Sequence, residues 1–205
     1  DSQVLGKVPL KEDLNFFPIN NVEACFKHDF VEYEGLPNSR IKIGIDWGFK
    51  DPPTLVVLEK LPGRVKVVET AFWNETPIEV SAPEIAKILD KWNPEIIYAD
   101  AKPAGYQGWV ERYTPKKIEY IQANHGNMKK MLLSQLQYAV DKHLLWVARD
   151  RRDIINQFFK YNYDFIKNKG PRRGDDWVDS IALGNWEPEK PVEFEPCVFS
   201  KNLKF

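Results

Sequence analysis

The stretch that most constrains this chain is Arg40-Ile41-Lys42-Ile43-Gly44-Ile45-Asp46-Trp47-Gly48. Ile41, Ile43 and Ile45 alternate with Lys42, Gly44 and Asp46, the two-residue period of a β-strand. The run is short, β-branched and closed by Trp-Gly, so it reads as strand and not as helix. Asp46 falls on the last strand residue, where the backbone ladder fixes its carboxylate near the sheet edge. A carboxylate held there is a candidate metal ligand, and two later acidic stretches are candidates to converge on it.

The rest of the chain supplies a sheet around that strand. Residues 1–39 have weak periodicity and are expected to form an arm or linker packed on the sheet by Phe16, Phe17 and Phe26. After a Pro-rich turn, Thr54–Leu58 and Val65–Trp73 read as a second and third strand, making an antiparallel meander. A helix is expected over roughly Glu79–Trp92, with Ile85, Ile88 and Leu89 on one face and Asn93-Pro94 as its stop. Glu95–Asp100 is a fourth strand that again ends in aspartate. A short helix at Ala104–Tyr113, a strand at Ile118–Gln122 and a long helix over about Gly126–His143 follow. A strand at Leu144–Val147, a helix at Arg151–Phe159 and a hairpin near Tyr163–Lys167 lead to a last helix from Asp175 or Asp176 to about Trp186. Residues 188–205 are read as a tail. The order predicts an α/β fold with a mixed central sheet flanked by helices, and it matches the ribonuclease H-like arrangement.

Three acidic points then stand out: Asp46, Asp100 and the run Asp175-Asp176-Trp177-Val178-Asp179. Asp176 and Asp179 lie three apart and Asp175 and Asp179 four apart, so at helical spacing they share a face. Taken singly, each has a plain structural reading, as helix cap or strand-end turn. Taken together, crowded carboxylates repel unless a cation neutralises them. Hard Mg²⁺ or Mn²⁺ suits all-oxygen ligands, and two such ions about 3.5–4 Å apart clamp the attacking and leaving oxygens of a phosphodiester. Asp51, beside Pro52-Pro53, is a turn residue or an outer carboxylate of the same site.

Charge is distributed unevenly. Residues 1–101 carry a net −6, residues 102–174 carry +9 and residues 175–205 carry −4. A basic middle between acidic flanks fits a polyanion-binding surface beside a carboxylate cluster, and equally fits solvated helix faces. Cys25 and Cys197 have no metal-type spacing, which argues against a zinc site and for reduced thiols. No apolar run approaches the ~20 residues of a membrane span, and no signal peptide is visible at the start. The chain begins with Asp and not Met, so a fragment of a longer protein is expected.

The motifs resemble one family. Ile43-Gly44-Ile45-Asp46-Trp47-Gly48, with Asp51 and Thr54, resembles its first motif, and Ile97-Tyr98-Ala99-Asp100-Ala101-Lys102-Pro103 is similar to its second. Gly174-Asp175-Asp176-Trp177-Val178-Asp179-Ser180-Ile181-Ala182-Leu183-Gly184 resembles its third, an Asp-Asp-x-x-Asp-Ala-Leu-Ala pattern, with Ser180 where Ala is usual. The family they resemble is the C-terminal nuclease domain of the large terminase subunit of tailed bacteriophages, and the likeness covers roughly residues 40–187.

The resemblance implies metal-dependent cutting of concatemeric double-stranded DNA during genome packaging, in the host-cell cytoplasm and without secretion. It implies catalytic and metal-binding roles for Asp46, Asp100, Asp179 and Asp176, with Asp175 as a further ligand candidate, and two Mg²⁺ or Mn²⁺ ions. Lys102, Lys129, Lys130, Arg172 and Arg173 are the candidate DNA contacts, while Lys167, Lys169, Arg149, Arg151 and Arg152 are further basic candidates. No Gly-x-x-x-x-Gly-Lys-[Ser/Thr] loop occurs, so these residues are expected to lack ATPase activity, with residues 1–39 as the linker from an upstream ATPase domain. The implied partners are double-stranded DNA, that ATPase domain, the small subunit and the portal protein, with no membrane. A Holliday-junction resolvase or transposase-like nuclease, and a non-catalytic DNA- or portal-binding packaging module, are the alternatives.

Overall fold

The central strand is buried on both faces, and that decides the architecture. The computed structural model describes residues 15–26, 33–47, 53–74, 76–100, 106–123, 127–162 and 176–188. In chain order the elements are α1 (Ile19–Cys25), β1 (Arg40–Asp46), β2 (Thr54–Leu61), β3 (Arg64–Phe72), α2 (Ile78–Trp92), β4 (Ile96–Asp100), α3 (Tyr106–Val110), β5 (Glu119–Ile121), α4 (Met128–Asp141), β6 (Leu145–Trp146), α5 (Arg152–Lys160) and α6 (Asp176–Asn185). Asp51, Lys102, Lys167, Lys169, Arg172, Arg173, Asp175 and Cys197 lie outside the described residues, as do the expected hairpin and the tail beyond Pro188.

Six strands form one mixed sheet in the order β5-β4-β1-β2-β3-β6. β1, β2 and β3 are the expected antiparallel meander, while β4 runs parallel to β1, β5 to β4 and β6 to β3. The β2–β3 ladder shifts register between Val57 and Leu58, which lets Val67 and Thr70 face the same side of the sheet. One face carries Ile41, Ile43, Ile45, Leu55, Val57, Ile97 and Ala99 against Ala82, Ile85 and Leu89 of α2. The other carries Val56, Leu58, Val65, Val67 and Tyr98 against α4, α5 and α6. Asn93 ends α2 in a left-handed conformation, as the Asn-Pro stop predicts.

Period-two strands ordinarily send their polar set to water. Here Lys42, Gly44 and Asp46 face α6 instead, and both charged residues are buried. α6 runs antiparallel to β1, with Ser180 against Asp46, Gly184 against Gly44 and Trp186 against Lys42. Gly44 makes that approach possible. A Cβ there would overlap the Ser180 carbonyl oxygen and lie 2.5 Å from Gly184 N. Any side chain at position 44 lifts α6 off the sheet.

The N-terminal arm differs from expectation in its contact. Phe16, Phe17 and Phe26 are buried, but their aromatic partners are Phe158 and Tyr161, in and just after α5. The short helix α1, too brief to show a period, places Val22 and Cys25 in the same cluster. Cys25 is a free thiol whose pKa burial pushes up to about 12, so it behaves as a small apolar residue.

Candidate active site

Asp46 and Asp100 end two adjacent parallel strands. Their ladder closes on the pair Ile45–Ala99, so the two aspartates are the next residues in register. Ile45 and Ala99 face α2; by the pleat, Asp46 and Asp100 face the α6 side. Each is no more than 7% exposed. Across the sheet, Asp100 pairs with Ile121, Asp46 with Thr54, and Thr54 with Phe72. One row thus runs Ile121, Asp100, Asp46, Thr54, Phe72 along the end of the sheet.

The first turn of α6 is fastened to this row by hydroxyls. The Asp46 N–H donates to Ser180 Oγ at 3.2 Å, and Thr54 Oγ1 donates to the Asp176 carbonyl at 3.2 Å. The two hydroxyls lie 2.6 Å apart, and Ser180 Oγ also lies 3.3 Å from the Thr54 carbonyl, a second acceptor for its proton. The relay is fully buried at Thr54 and Ser180. It brings Asp176 and Asp179, both half-buried, over the end of the sheet that holds Asp46 and Asp100.

Asp179 has protein partners. Lys129 Nζ donates to its Oδ2 at 2.9 Å and Tyr161 OH to its Oδ1 at 3.2 Å. Lys129, expected on DNA phosphate, therefore faces the acidic cluster, whereas Lys130 is exposed. Arg151 is engaged too, with its guanidinium on both oxygens of Asp153 and on Thr70. Sequence reasoning missed Tyr161, and it missed Thr54 and Ser180 as a unit. Nothing in the spacing of residues more than a hundred positions apart marks two hydroxyls as partners.

Oxygen donors from two buried carboxylates suit a hard divalent cation. Among the described residues no group of three or more His, Cys, Asp or Glu is arranged to hold a metal ion. Asp46 and Asp100 are the candidate pair for such an ion, while Asp179, on the first turn of α6, is held by Lys129 and Tyr161. A cavity of about 520 Å³ lies elsewhere, at the opposite end of the sheet, where Arg40, Lys60, Arg64, Tyr138 and Glu187 contribute to its wall.

Neither a protein-family model nor a curated protein matches the sequence. Among solved structures, the large terminase nuclease of thermophilic phage G20c matches with a TM-score of 0.65 at 15% identity, over 81% of this chain and 95% of that one. The fold is that of a large terminase nuclease. The nuclease domain of the Thermus phage P74-26 large terminase matches with a TM-score of 0.64 at 16% identity, over 86% and 98% of the two chains. The large terminase of a further thermophilic bacteriophage, crystallised with ATP-gamma-S, matches at 0.60 and 11% identity over 80% of this chain and 44% of that one. The G20c nuclease has also been crystallised with zinc, cobalt and magnesium. At these identities the likeness is one of fold, the mixed ribonuclease H-like sheet that the order of elements predicts. Among the described residues no helix is long and apolar enough to cross a membrane.

Proposed function

We propose that this chain is a metal-dependent endonuclease that cuts concatemeric double-stranded viral DNA during genome packaging. The observation that carries the reading is the placement of Asp46 and Asp100, buried side by side at adjacent strand ends beneath the acidic start of α6. In this reading Asp46 and Asp100 hold divalent metal, with Asp176, Asp179 and Asp175 as the helix-borne acids. Two Mg²⁺ or Mn²⁺ ions bound there supply neutralisation of the phosphodiester and a water of lowered pKa.

The chain's own residues do the positioning. Ser180 and Thr54 fix the backbone at Asp46, so its carboxylate is aimed before substrate arrives. Lys129 and Tyr161 hold Asp179 at the edge of the cluster. Water attacks phosphorus in line as the P–O3′ bond breaks, leaving a 5′-phosphate and a 3′-hydroxyl. Lys130, Lys102, Arg172 and Arg173 meet phosphates, contacts that make affinity fall with salt and carry no sequence information. ATP hydrolysis is not among the activities proposed for these residues. A terminase ATPase domain, the small subunit and the portal protein are the proposed partners, in the cytoplasm of an infected cell.

The test is conversion of supercoiled plasmid to nicked and linear forms in Mn²⁺ or Mg²⁺. Cleavage that vanishes with EDTA, with Asp46→Asn and with Asp100→Ala is the expected result. Retarded but uncut plasmid would leave a DNA-binding packaging module, and preferential cutting of a four-way junction would favour a resolvase.

A further inference from the structure

The acidic row ends in a residue that its chemistry does not use. Phe72, last in β3, lies two strand spacings from Asp46, about 10 Å at ~4.8 Å per strand. It faces the α6 side, as its partner Thr54 does, and it is 50% exposed. Single exposed apolar side chains are common and need no explanation. This one is not single. Its ring packs on Trp177 at 6.0 Å and 41°, and the Arg151 guanidinium lies over the Trp177 ring at 5.3 Å. Each deeper layer is pinned. The backbone N–H of Trp177 donates to Gln157 Oε1 at 2.8 Å, and Arg151 is held by both oxygens of Asp153 and by Thr70.

A rigid aromatic face with a cation behind it is what a nucleobase stacks on. Such a face accepts any base, because every base has a π-face, and a phenyl ring offers no polar group to discriminate. At the ~3.4 Å rise of a stacked strand, the separation from Asp46 is about three nucleotides. The basic middle of the sequence supplies charge complementary to a nucleic acid strand.

We propose that Phe72, backed by Trp177 and Arg151, is a stacking platform for an unpaired base of a DNA strand whose backbone crosses the acidic row. This rests on the nuclease reading and deepens it, naming locally melted or single-stranded DNA as what the site grips beside the cut. Trp177 and Arg151 act by fixing the ring, and Phe72 touches the base.

The test is fluorescence anisotropy of a labelled oligothymidylate and of a blunt duplex, both in EDTA so that no turnover occurs. Phe72→Ala should weaken oligothymidylate binding roughly tenfold or more, the loss expected for one base stack. Phe72→Trp should retain binding, Phe72→Leu should resemble Phe72→Ala, and the duplex should change less than about twofold, since phosphate contacts carry it. Matching melting temperatures exclude misfolding, because the position is half exposed. Equal oligothymidylate affinity for wild type and Phe72→Ala, or Phe72→Leu binding as well as Phe72→Trp, overturns the proposal. A protein that cuts plasmid but passes no stacking test loses only the platform. One that stacks but never cuts loses the nuclease reading.

Discussion

The two ends of the β1–α6 pair are built from opposite arithmetic. At the α6 N-terminus, Asp176 and Asp179 start the helix on the side of the sheet that Asp46 and Asp100 face, with Lys129 on Asp179. At the α6 C-terminus three cations surround one acid: Arg40 at 3.1 Å, Lys42 at 3.4 Å and Lys60 at 2.7 Å from Glu187. There Lys42 also donates to the Trp186 carbonyl and Lys60 to the Asn185 carbonyl, so the last helix carbonyls and the helix dipole are both answered. The Lys42 ammonium further lies 5.3 Å from the Tyr98 ring centroid. One end is a closed electrostatic knot that holds the helix down. The other brings acids of like charge to one end of the sheet, an arrangement that costs stability and that the proposed nuclease chemistry would use.

The widest separation should come from neutralising an acid at each end. Asp46→Asn removes a carboxylate from the crowded end, and plasmid cutting should fall on the order of a thousandfold or more. Thermal stability should hold or rise slightly, because like-charge repulsion is relieved. A variant that instead unfolds, with cutting lost only for that reason, would make the row structural and erase the contrast. Added Mn²⁺ should raise the melting temperature of wild type and not of Asp46→Asn.

Glu187→Gln tests the closed end, and its effect should lie in stability. Burial raises the Glu187 pKa, but Lys60, Lys42 and Arg40 outweigh it and hold the carboxyl down to about 2, against an ordinary 4.5. For Lys42 burial dominates, lowering its pKa against the pull of Glu187, so loss of the carboxylate strands a buried ammonium. Discounted for solvent screening of a partly exposed carboxylate, the cost should be about 2 kcal/mol at pH 7, read by urea unfolding. Because the folded pKa is depressed, this contribution is complete above about 4.5 and is lost as pH falls toward 2. The wild-type and variant curves should therefore converge in acid. Cutting by the folded variant should be unchanged.

Lys129→Met asks whether Asp179 needs its cation. The pair is partly exposed, 13% and 24% at the side chains, so the interaction is screened and the loss should be about 1–2 kcal/mol. A drop in cutting larger than the drop in stability would put Lys129 with the acidic end as a working residue. Equal losses would make it a brace.

What was legible in the sequence follows from range. β1 and β4 were readable because alternation of Ile with polar residues is local, and an aspartate at each strand end is visible in the same window. α2 and α4 showed their period, and Asn93-Pro94 its stop. The helix α1 did not, since seven residues hold fewer than two full turns of pattern. Nor did the buried pairings: Lys129 and Asp179 are 50 residues apart and Lys42 and Glu187 are 145 apart, and a lysine carries no mark of which acid it will meet. Phe72 read as one more strand apolar residue. Its meaning comes from Trp177, which the fold brings to it.

Ser180 is the smallest of these tests and the most direct on position. Beside the Asp-Asp-x-x-Asp-Ala-Leu-Ala pattern it is a mild departure, yet its hydroxyl links Asp46 N–H to Thr54 Oγ1 in a fully buried relay. Ser180→Ala leaves the Asp46 N–H without this acceptor and should cost about 1 kcal/mol. Thr54→Val alone should cost a similar amount or less, since it removes the donor to the Asp176 carbonyl while the Ser180 hydroxyl keeps the Thr54 carbonyl as acceptor. If the two hydroxyls act as one unit, the double variant should be less destabilised than the sum, since replacing both partners by apolar groups removes the mutual penalty. Strict additivity in urea unfolding would mean that each hydroxyl serves its own backbone group and that the contact between the two hydroxyls adds nothing. Activity separates the cases further: a relay that aims Asp46 lowers the cutting rate in Ser180→Ala even under conditions where the variant is fully folded, and a packing contact does not.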